Sequence, residues 1–495
     1  MNKLARLLIL FTVIFVIPSC TNMSHKDDKH ELLRAKSSQE GSSKKVIFIV
    51  ADSIMYQAID QGIKQKSLPT FQYMINNGQY YKDIVSSFPT MSVTIDSSIL
   101  TGTYPDKHHV PGLIWYSSEE RRLINYGTGP METLKQGINP VLSDEFINLN
   151  AKHLNPRIST IYEDLARLGL KSGSVNGLIY RGKTDHVLTF PPLLHMPTSL
   201  PKHIKVKGPD LLFFGAFTNP LHGKKNLPAG LTQKMGFNNE YAIETVKHLV
   251  MNSQLPDFLY VYLPDLDLRL HRKGPSDLKG ATSLDGQLRS LLMSFGSMEE
   301  AIKKAIIIII GDSGMSSIVP ARQHPVIELP ALLKNFNVLQ PGATVSSDTE
   351  IILAVNETMA YVYNLKSKSK LKNLVEILRT EARMDLIAWE ENGWIHVRRA
   401  GIVGEFSFKA NGNVTDSYKQ SWTFVGNEQI LDLKRDEKNR LRYGEYPDAM
   451  RRLSAAFHSH NGDFIIVTAK PGYELAGHSY TNTSGRRRTW FIPSD

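Results

Sequence analysis

Two short apolar runs each end in an aspartate: Val46–Ala51 runs into Asp52, and the isoleucines Ile306–Ile310 run through Gly311 into Asp312. Between them lie a hydroxyl-rich turn, Ser87–Thr94, and an Asp-x-x-x-His pair, Asp267 and His271; a late histidine, His478, follows. Carboxylates and imidazoles hold divalent cations, and a cation can turn a weak serine or threonine hydroxyl into a nucleophile. Acid, hydroxyl, acid plus histidine, acid, histidine is a ligand set for two divalent cations with a hydroxyl between them.

Each piece alone has a plainer reading. Pro89 interrupts regular structure, and the stretch after it can start a helix that one of the hydroxyls merely caps. The same helix start would offer free N–H groups to a phosphate. Asp267 and His271 share one side of a helical turn, within reach of one ion. Asp265 competes for that role, and both residue types are common on surfaces. His478 could complete a three-ligand zinc site with an open position, or be an ordinary surface histidine.

The elements that would position these residues alternate. Strand-like Val46–Ala51 precedes a helix near Leu68–Asn77. Helical Ile161–Leu168 precedes a strand at Lys171–Val175, and helical Ala242–Met251 precedes the strand Phe258–Leu263. A long helix, Leu288–Lys304, leads into the isoleucine strand, and Met450–Phe457 leads into a last strand, Phe464–Thr468. This order predicts an α/β fold with a doubly wound, mostly parallel sheet, whose strands are buried on both faces and carry chemistry at their carboxyl ends. From about 339 to 446 the texture changes to short alternating runs, a helix near Leu371–Arg379 and polar turns such as Asn411-Gly412-Asn413. That stretch reads as an inserted α+β cap within a catalytic domain spanning 46–495.

The chain has 495 residues, 41% hydrophobic and 21% charged, which is the composition of a globular protein and excludes a disordered one. Lys3 and Arg6 precede the apolar Leu7–Ile17, too short to span a bilayer comfortably, so 1–19 reads as a secretory signal. Ile17-Pro18-Ser19-Cys20 resembles the lipobox of bacterial lipoproteins. The resemblance implies lipid on Cys20 and an exported, membrane-anchored protein on the extracytoplasmic face; a simple cleaved signal is the alternative. With Cys20 the sole cysteine, no internal disulfide is available. The polar stretch 20–45 reads as anchor and flexible tether. A net charge of +10 would gather anionic substrates, whereas Arg486-Arg487-Arg488 is too short to suggest binding to a nucleic-acid polymer.

Together the motifs resemble the type I phosphodiesterase/nucleotide pyrophosphatase family of the alkaline phosphatase superfamily, over most of 46–335 and again from about 450 to 480. Ser87–Pro105 is similar in register to the family's nucleophile segment: Phe-Pro-Thr, a hydroxyl residue two further on, then Thr-Gly-x-Tyr-Pro. The resemblance implies Ser92 as nucleophile, with Thr90 and Thr94 as neighbours to rule out. It implies one metal on Asp267, His271 and His478, and a second on Asp52, Asp312 and the oxygen of Ser92. Two zinc ions, hydrolysis of phosphodiester or pyrophosphate bonds through a phospho-serine, and a small phosphorylated or envelope substrate follow as expectations.

Two departures stand out. The family's histidine after the second-strand aspartate is Ser313 here, which removes a nitrogen ligand and makes Mn²⁺ or Mg²⁺ a better fit at the second site. The family's asparagine after the nucleophile falls at Ile95, beside Asp96, so an oxyanion donor is missing or comes from elsewhere. These losses would also suit an impaired, lipid-anchored binding protein for phosphorylated ligands. A metal-free serine esterase is the other rival, since Gly311-Asp312-Ser313-Gly314 looks like a hydrolase elbow and Ala51-Asp52-Ser53-Ile54 faintly resembles the nucleophile block of the Gly-Asp-Ser-Leu esterases. That elbow would need glycine where Met315 stands, and an aspartate where Leu475 precedes His478. In His108–Tyr126, the side chains of Trp115, Tyr116, Arg121 and Arg122 could contact substrate or pack the cap.

Overall fold

A computed structural model of the protein describes residues 44–127, 137–196, 198–366, 369–477 and 489–490. The signal-like segment, Cys20, most of the tether, His478 and Arg486–Arg488 lie outside the described residues. Among those described, no helix is long and apolar enough to cross a membrane.

Five parallel strands form the central sheet: β1 (Lys45–Ala51), β2 (Ser172–Val175), β3 (Leu211–Phe213), β4 (Phe258–Leu263) and β5 (Ala305–Ile310), in the order β3-β2-β4-β1-β5. Side chains alternate across a strand, so each face of β1 and β4 feeds a different core. Ile47, Ile49, Leu259 and Val261 pack against the helices Tyr56–Lys64, Asn239–Met251 and Leu278–Met293. Val50, Phe258 and Tyr260 pack against the helices Ser92–Thr101 and Ile161–Arg167. Helices on both faces make the sheet doubly wound, as the alternating sequence predicts.

The isoleucine strand departs from expectation. It is the sheet's edge, and Ile306 and Ile308 are 48% and 39% exposed rather than enclosed. The expected long helix before it is two, Leu278–Met293 and Met298–Lys304, broken where Gly296 takes φ 109°.

A second, antiparallel sheet has seven strands: β6 (Ile351–Asn356), β7 (Met359–Asn364), β8 (Met384–Glu391), β9 (Trp394–Arg399), β10 (Phe406–Thr415), β11 (Ser421–Gly426) and β12 (Phe464–Ala469). Its order is β6-β7-β12-β8-β9-β10-β11. This corrects the reading of Phe464–Thr468 as a strand of the parallel sheet. The run β12 is apolar on both sides because helices Ser369–Arg379 and Ala449–Phe457 cover opposite faces of this sheet, giving it the texture of a buried parallel strand. Asn411-Gly412-Asn413 is also no turn between elements. It lies within β10, where pairing slips between Ala410 and Val414. A Cβ on Gly412 would stand 2.0 Å from the Trp422 backbone, so glycine alone fits the slip.

Candidate active site

Register in the central sheet brings the acids together. Ala51 pairs with Leu263 and Val50 with Ile310, so β4, β1 and β5 end side by side. Asp52 follows β1, Asp312 follows β5 across Gly311, and the helix Asp265–Lys273 leaves β4 carrying Asp267 and His271. Gly311 is required there, since a Cβ would meet the Ile54 carbonyl at 2.2 Å.

Ser53 joins the three strand ends. Its N–H donates to Asp312 Oδ1 at 3.1 Å, and its hydroxyl donates to Asp267 Oδ1 at 2.9 Å while lying 3.4 Å from Asp52 Oδ1. His271 Nε2 is 3.3 Å from Asp267 Oδ1, as the spacing of four predicts. Asp265, the competing acid, turns away: it accepts the Asn239 N–H at 2.9 Å and pairs with Lys234 at 2.6 Å. Tyr262, near the end of β4, donates its hydroxyl to Asp52 Oδ2. Tyr262 carries no motif, and Ser53 is marked in the sequence only by the esterase-like block, not as a partner of the acids. Their signal was positional, as polar side chains at the carboxyl ends of parallel strands.

Burial pushes Asp52 well above the usual carboxylate range, and the neighbouring Asp312 and Asp267 push it further. Burial also raises Asp312, against the hydrogen bonds of the Ser53 N–H and the Ser92 hydroxyl, which favour its ionised form. Asp312 Oδ2 is buried and has no hydrogen-bond partner among the described residues. Asp96 adds another wholly enclosed carboxyl, raised by burial and then by Asp312. Its oxygens make no hydrogen bond of good geometry, although the Tyr260 hydroxyl lies close enough to favour its ionised form. Such crowding of acids with an orphaned oxygen is what a cation would relieve.

The donor set therefore fits two cations, one by Asp267 and His271 and one by Asp52 and Asp312 with the nearby hydroxyls. Each half brings two acid or imidazole groups; among the described residues no three such groups form a cage on their own. The third ligand expected for the first cation, His478, lies outside the described residues.

Ser92 opens its helix, half-buried, without capping it, and lies close enough to Asp312 to favour that carboxyl's ionised form. Thr94 is fully buried, whereas Ser92 is half-buried near Asp312. Ile95 is buried and Asp96 enclosed, so neither presents an oxyanion donor. Trp115, Tyr116 and Arg122 do not face this site. Tyr116 packs edge-on against Tyr363 of the second sheet, Trp115 against His153 and His460, and Arg122 is held by Glu120 and Asp144. The hollow of about 650 Å³ bordered by Arg399, Asp432 and Lys470 belongs to the second sheet, and its Arg399 is already paired with Asp385 and Glu445.

His108 braces the helix Ser92–Thr101 through Ser98. Its Nδ1 accepts the Val110 N–H at 3.1 Å, which leaves the Nε2 proton for Ser98 Oγ at 3.0 Å, and Ser98 in turn donates to Ser87 at 2.9 Å. Burial pushes the imidazole down to about 3. The unfolded chain takes up a proton below about pH 6.5 that the folded one refuses, so stability falls as pH drops through this window. At pH 5 the loss from His108 is about 2 kcal/mol. Thermal melts of wild type should therefore drop between pH 7 and pH 5, and His108→Asn should flatten that slope from a lower starting point. An equally steep slope in the variant would contradict it.

Among solved structures, human ectonucleotide pyrophosphatase/phosphodiesterase 5 matches at 14% identity, covering 91% of this chain and 87% of its own, with a TM-score of 0.48. The inactive murine counterpart, solved in complex with AMP, matches at 12% identity over the same shares, with a TM-score of 0.48. Phosphonoacetate hydrolase from Sinorhizobium meliloti, in complex with phosphonoacetate, matches at 13% identity, covering 91% of this chain and 89% of its own, with a TM-score of 0.49. No curated protein sequence matches. The model of one sequence family, type I phosphodiesterase/nucleotide pyrophosphatase, matches residues 46–490. With nearly the whole domain matched, and acids and a serine meeting at the strand ends, the chain belongs to the type I phosphodiesterase/nucleotide pyrophosphatase family.

Proposed function

We propose that this phosphohydrolase cleaves phosphodiester or pyrophosphate bonds with Ser92 as nucleophile and two divalent cations as cofactors. The observation that carries the reading is the meeting of Asp52, Asp312 and Asp267 on Ser53, with Ser92 near Asp312. Asp267, His271 and His478 would hold one cation, and Asp52 and Asp312 the other. Bound there, the cations supply positive charge that lowers the pKa of the serine hydroxyl and stabilises charge on the phosphoryl and leaving oxygens.

Asp312 orients the Ser92 hydroxyl. A bond forms from Ser92 Oγ to phosphorus as the bond from phosphorus to the leaving alcohol or phosphate oxygen breaks, and the serine proton is released. Water then hydrolyses the phospho-serine, restoring the hydroxyl and returning the second product. Tyr262 holds Asp52 in place during both steps.

A second reading, binding without turnover, draws on Ser313 and on the apolar Ile95. Hydrolysis of bis-p-nitrophenyl phosphate, p-nitrophenyl phosphate and p-nitrophenyl acetate, each with and without EDTA, separates the readings. Diester cleavage that EDTA abolishes and added Mn²⁺ or Zn²⁺ restores is expected. Acetate cleavage that resists EDTA would point to an esterase, and silence on all three substrates to a binding protein.

A further inference from the structure

Ser53 sits in a conformation its side chain does not favour. It is fully buried with φ 61°, in the left-handed region where glycine would rest without strain. Non-glycine residues held this way persist where the surroundings fix them, and such sites often serve function. Here the side chain lies among oxygens. Ser53 Oγ is 2.9 Å from Asp267 Oδ1, 3.4 Å from Asp52 Oδ1 and 3.5 Å from Ser313 Oγ, which is itself 3.4 Å from Asp312 Oδ1.

A serine hydroxyl has one proton, and Asp267 receives it. The lone pairs of Ser53 Oγ are then left for Asp52 and Ser313; an ionised Asp52 has no proton to give them, and the Ser313 hydroxyl is 3.5 Å away. Oxygens bound to one octahedral cation at about 2.1 Å lie roughly 3.0 Å from their neighbours in the shell; Asp52 Oδ1 at 3.4 Å and Ser313 Oγ at 3.5 Å stand a few tenths of an ångström wider around Ser53 Oγ. Asp312 Oδ2, buried and without a partner among the described residues, adds a further acceptor with nothing to accept.

We propose that Ser53 Oγ is a direct oxygen ligand of the cation held by Asp52 and Asp312, supplying the donor that Ser313 cannot supply as an imidazole would. The inference rests on the two-cation reading and names a ligand beyond it. A shell of carboxylate and hydroxyl oxygens accommodates a hard cation such as Mn²⁺. The hydroxyl of Ser53 also links the two halves of the site, because its nearest acceptor belongs to the Asp267–His271 half.

Calorimetric titration of the chelated full-length protein with MnCl₂ tests the first part, with wild type, Ser53→Ala and Ser53→Gly compared. Wild type should bind two equivalents, and one of them should weaken about tenfold or more in both variants. Ser53→Gly relieves the backbone strain, so it keeps the test valid if Ser53→Ala fails to fold. Ser53→Cys tests ligation directly. A thiolate placed in a cation's shell binds Cd²⁺, which gives a sulfur-to-metal charge-transfer band in the ultraviolet difference spectrum against wild type. Wild-type Mn²⁺ binding in Ser53→Gly together with no cadmium band in Ser53→Cys would overturn the assignment while leaving the two-cation reading intact. Failure of wild type itself to bind Mn²⁺ or Zn²⁺ would overturn both.

Discussion

Ser92→Ala is expected to lower phosphodiester hydrolysis by about a thousandfold or more while leaving the melting temperature close to wild type. The two outcomes separate because Ser92 packs little. It is half-buried at the first position of its helix, and the core beneath is built by Val93, Leu100 and Met91. What the variant removes is the half-buried hydroxyl that lies near Asp312 at the start of the helix. Steady-state rates with bis-p-nitrophenyl phosphate and a thermal melt measure both. Thr90→Ala and Thr94→Ala are the controls: Thr90 precedes the helix and Thr94 is sealed in the core, so neither should approach the loss seen at Ser92. Undiminished turnover in Ser92→Ala would remove this nucleophile from the account.

Asp312→Asn should move activity and stability in opposite directions. The carboxylate anchors the Ser53 N–H and the Ser92 hydroxyl, and it stands among Asp52, Asp267 and Asp96 with one oxygen unsatisfied. An amide at this position can still accept from Ser53 but no longer offers charge to a cation, so hydrolysis should fall by about a hundredfold or more. In the cation-free protein the same change removes a buried charge. Burial raises the pKa of Asp312, so its ionised form costs the fold more as pH climbs above the ordinary carboxylate range. Chelated Asp312→Asn should therefore melt above chelated wild type, and the gap should be wider above the ordinary carboxylate range than below it. Added Mn²⁺ should reverse the order by raising wild type alone. A chelated variant that melts below wild type throughout would show that Asp312 is structural.

Much of this site was legible because parallel strands announce themselves. An unbroken apolar run ending in aspartate places that acid at a carboxyl edge, and Asp52 and Asp312 are found there, on neighbouring strands. The spacing of Asp267 and His271 fixed their common side but could not exclude Asp265, because both acids lie in the first turn of one helix. Only the contact of Asp265 with Asn239 and Lys234 resolves the choice. Ser53 stayed hidden for a different reason, since its role depends on a left-handed backbone and on partners more than two hundred residues away.

The strand β12 misled because burial on both faces looks alike in parallel and antiparallel sheets. Its place was decided by pairing with β7 and β8, which no local pattern records. The short edge strand β3 left too little periodicity to be noticed. Trp115, Tyr116 and Arg122 have the chemistry of a binding loop, yet their sequence could not tell a substrate from the protein groups that engage them: Tyr363 for Tyr116, His153 and His460 for Trp115, Glu120 and Asp144 for Arg122.

The central claim is that distant stretches of chain hold two cations against one serine oxygen. An anomalous-difference map from crystals grown with Mn²⁺ tests it most directly. Two peaks are predicted, one touching Asp52 and Asp312 beside Ser92, and one touching Asp267 and His271. A map with no peak at the ends of β1, β4 and β5, or with peaks only elsewhere on the molecule, would contradict it.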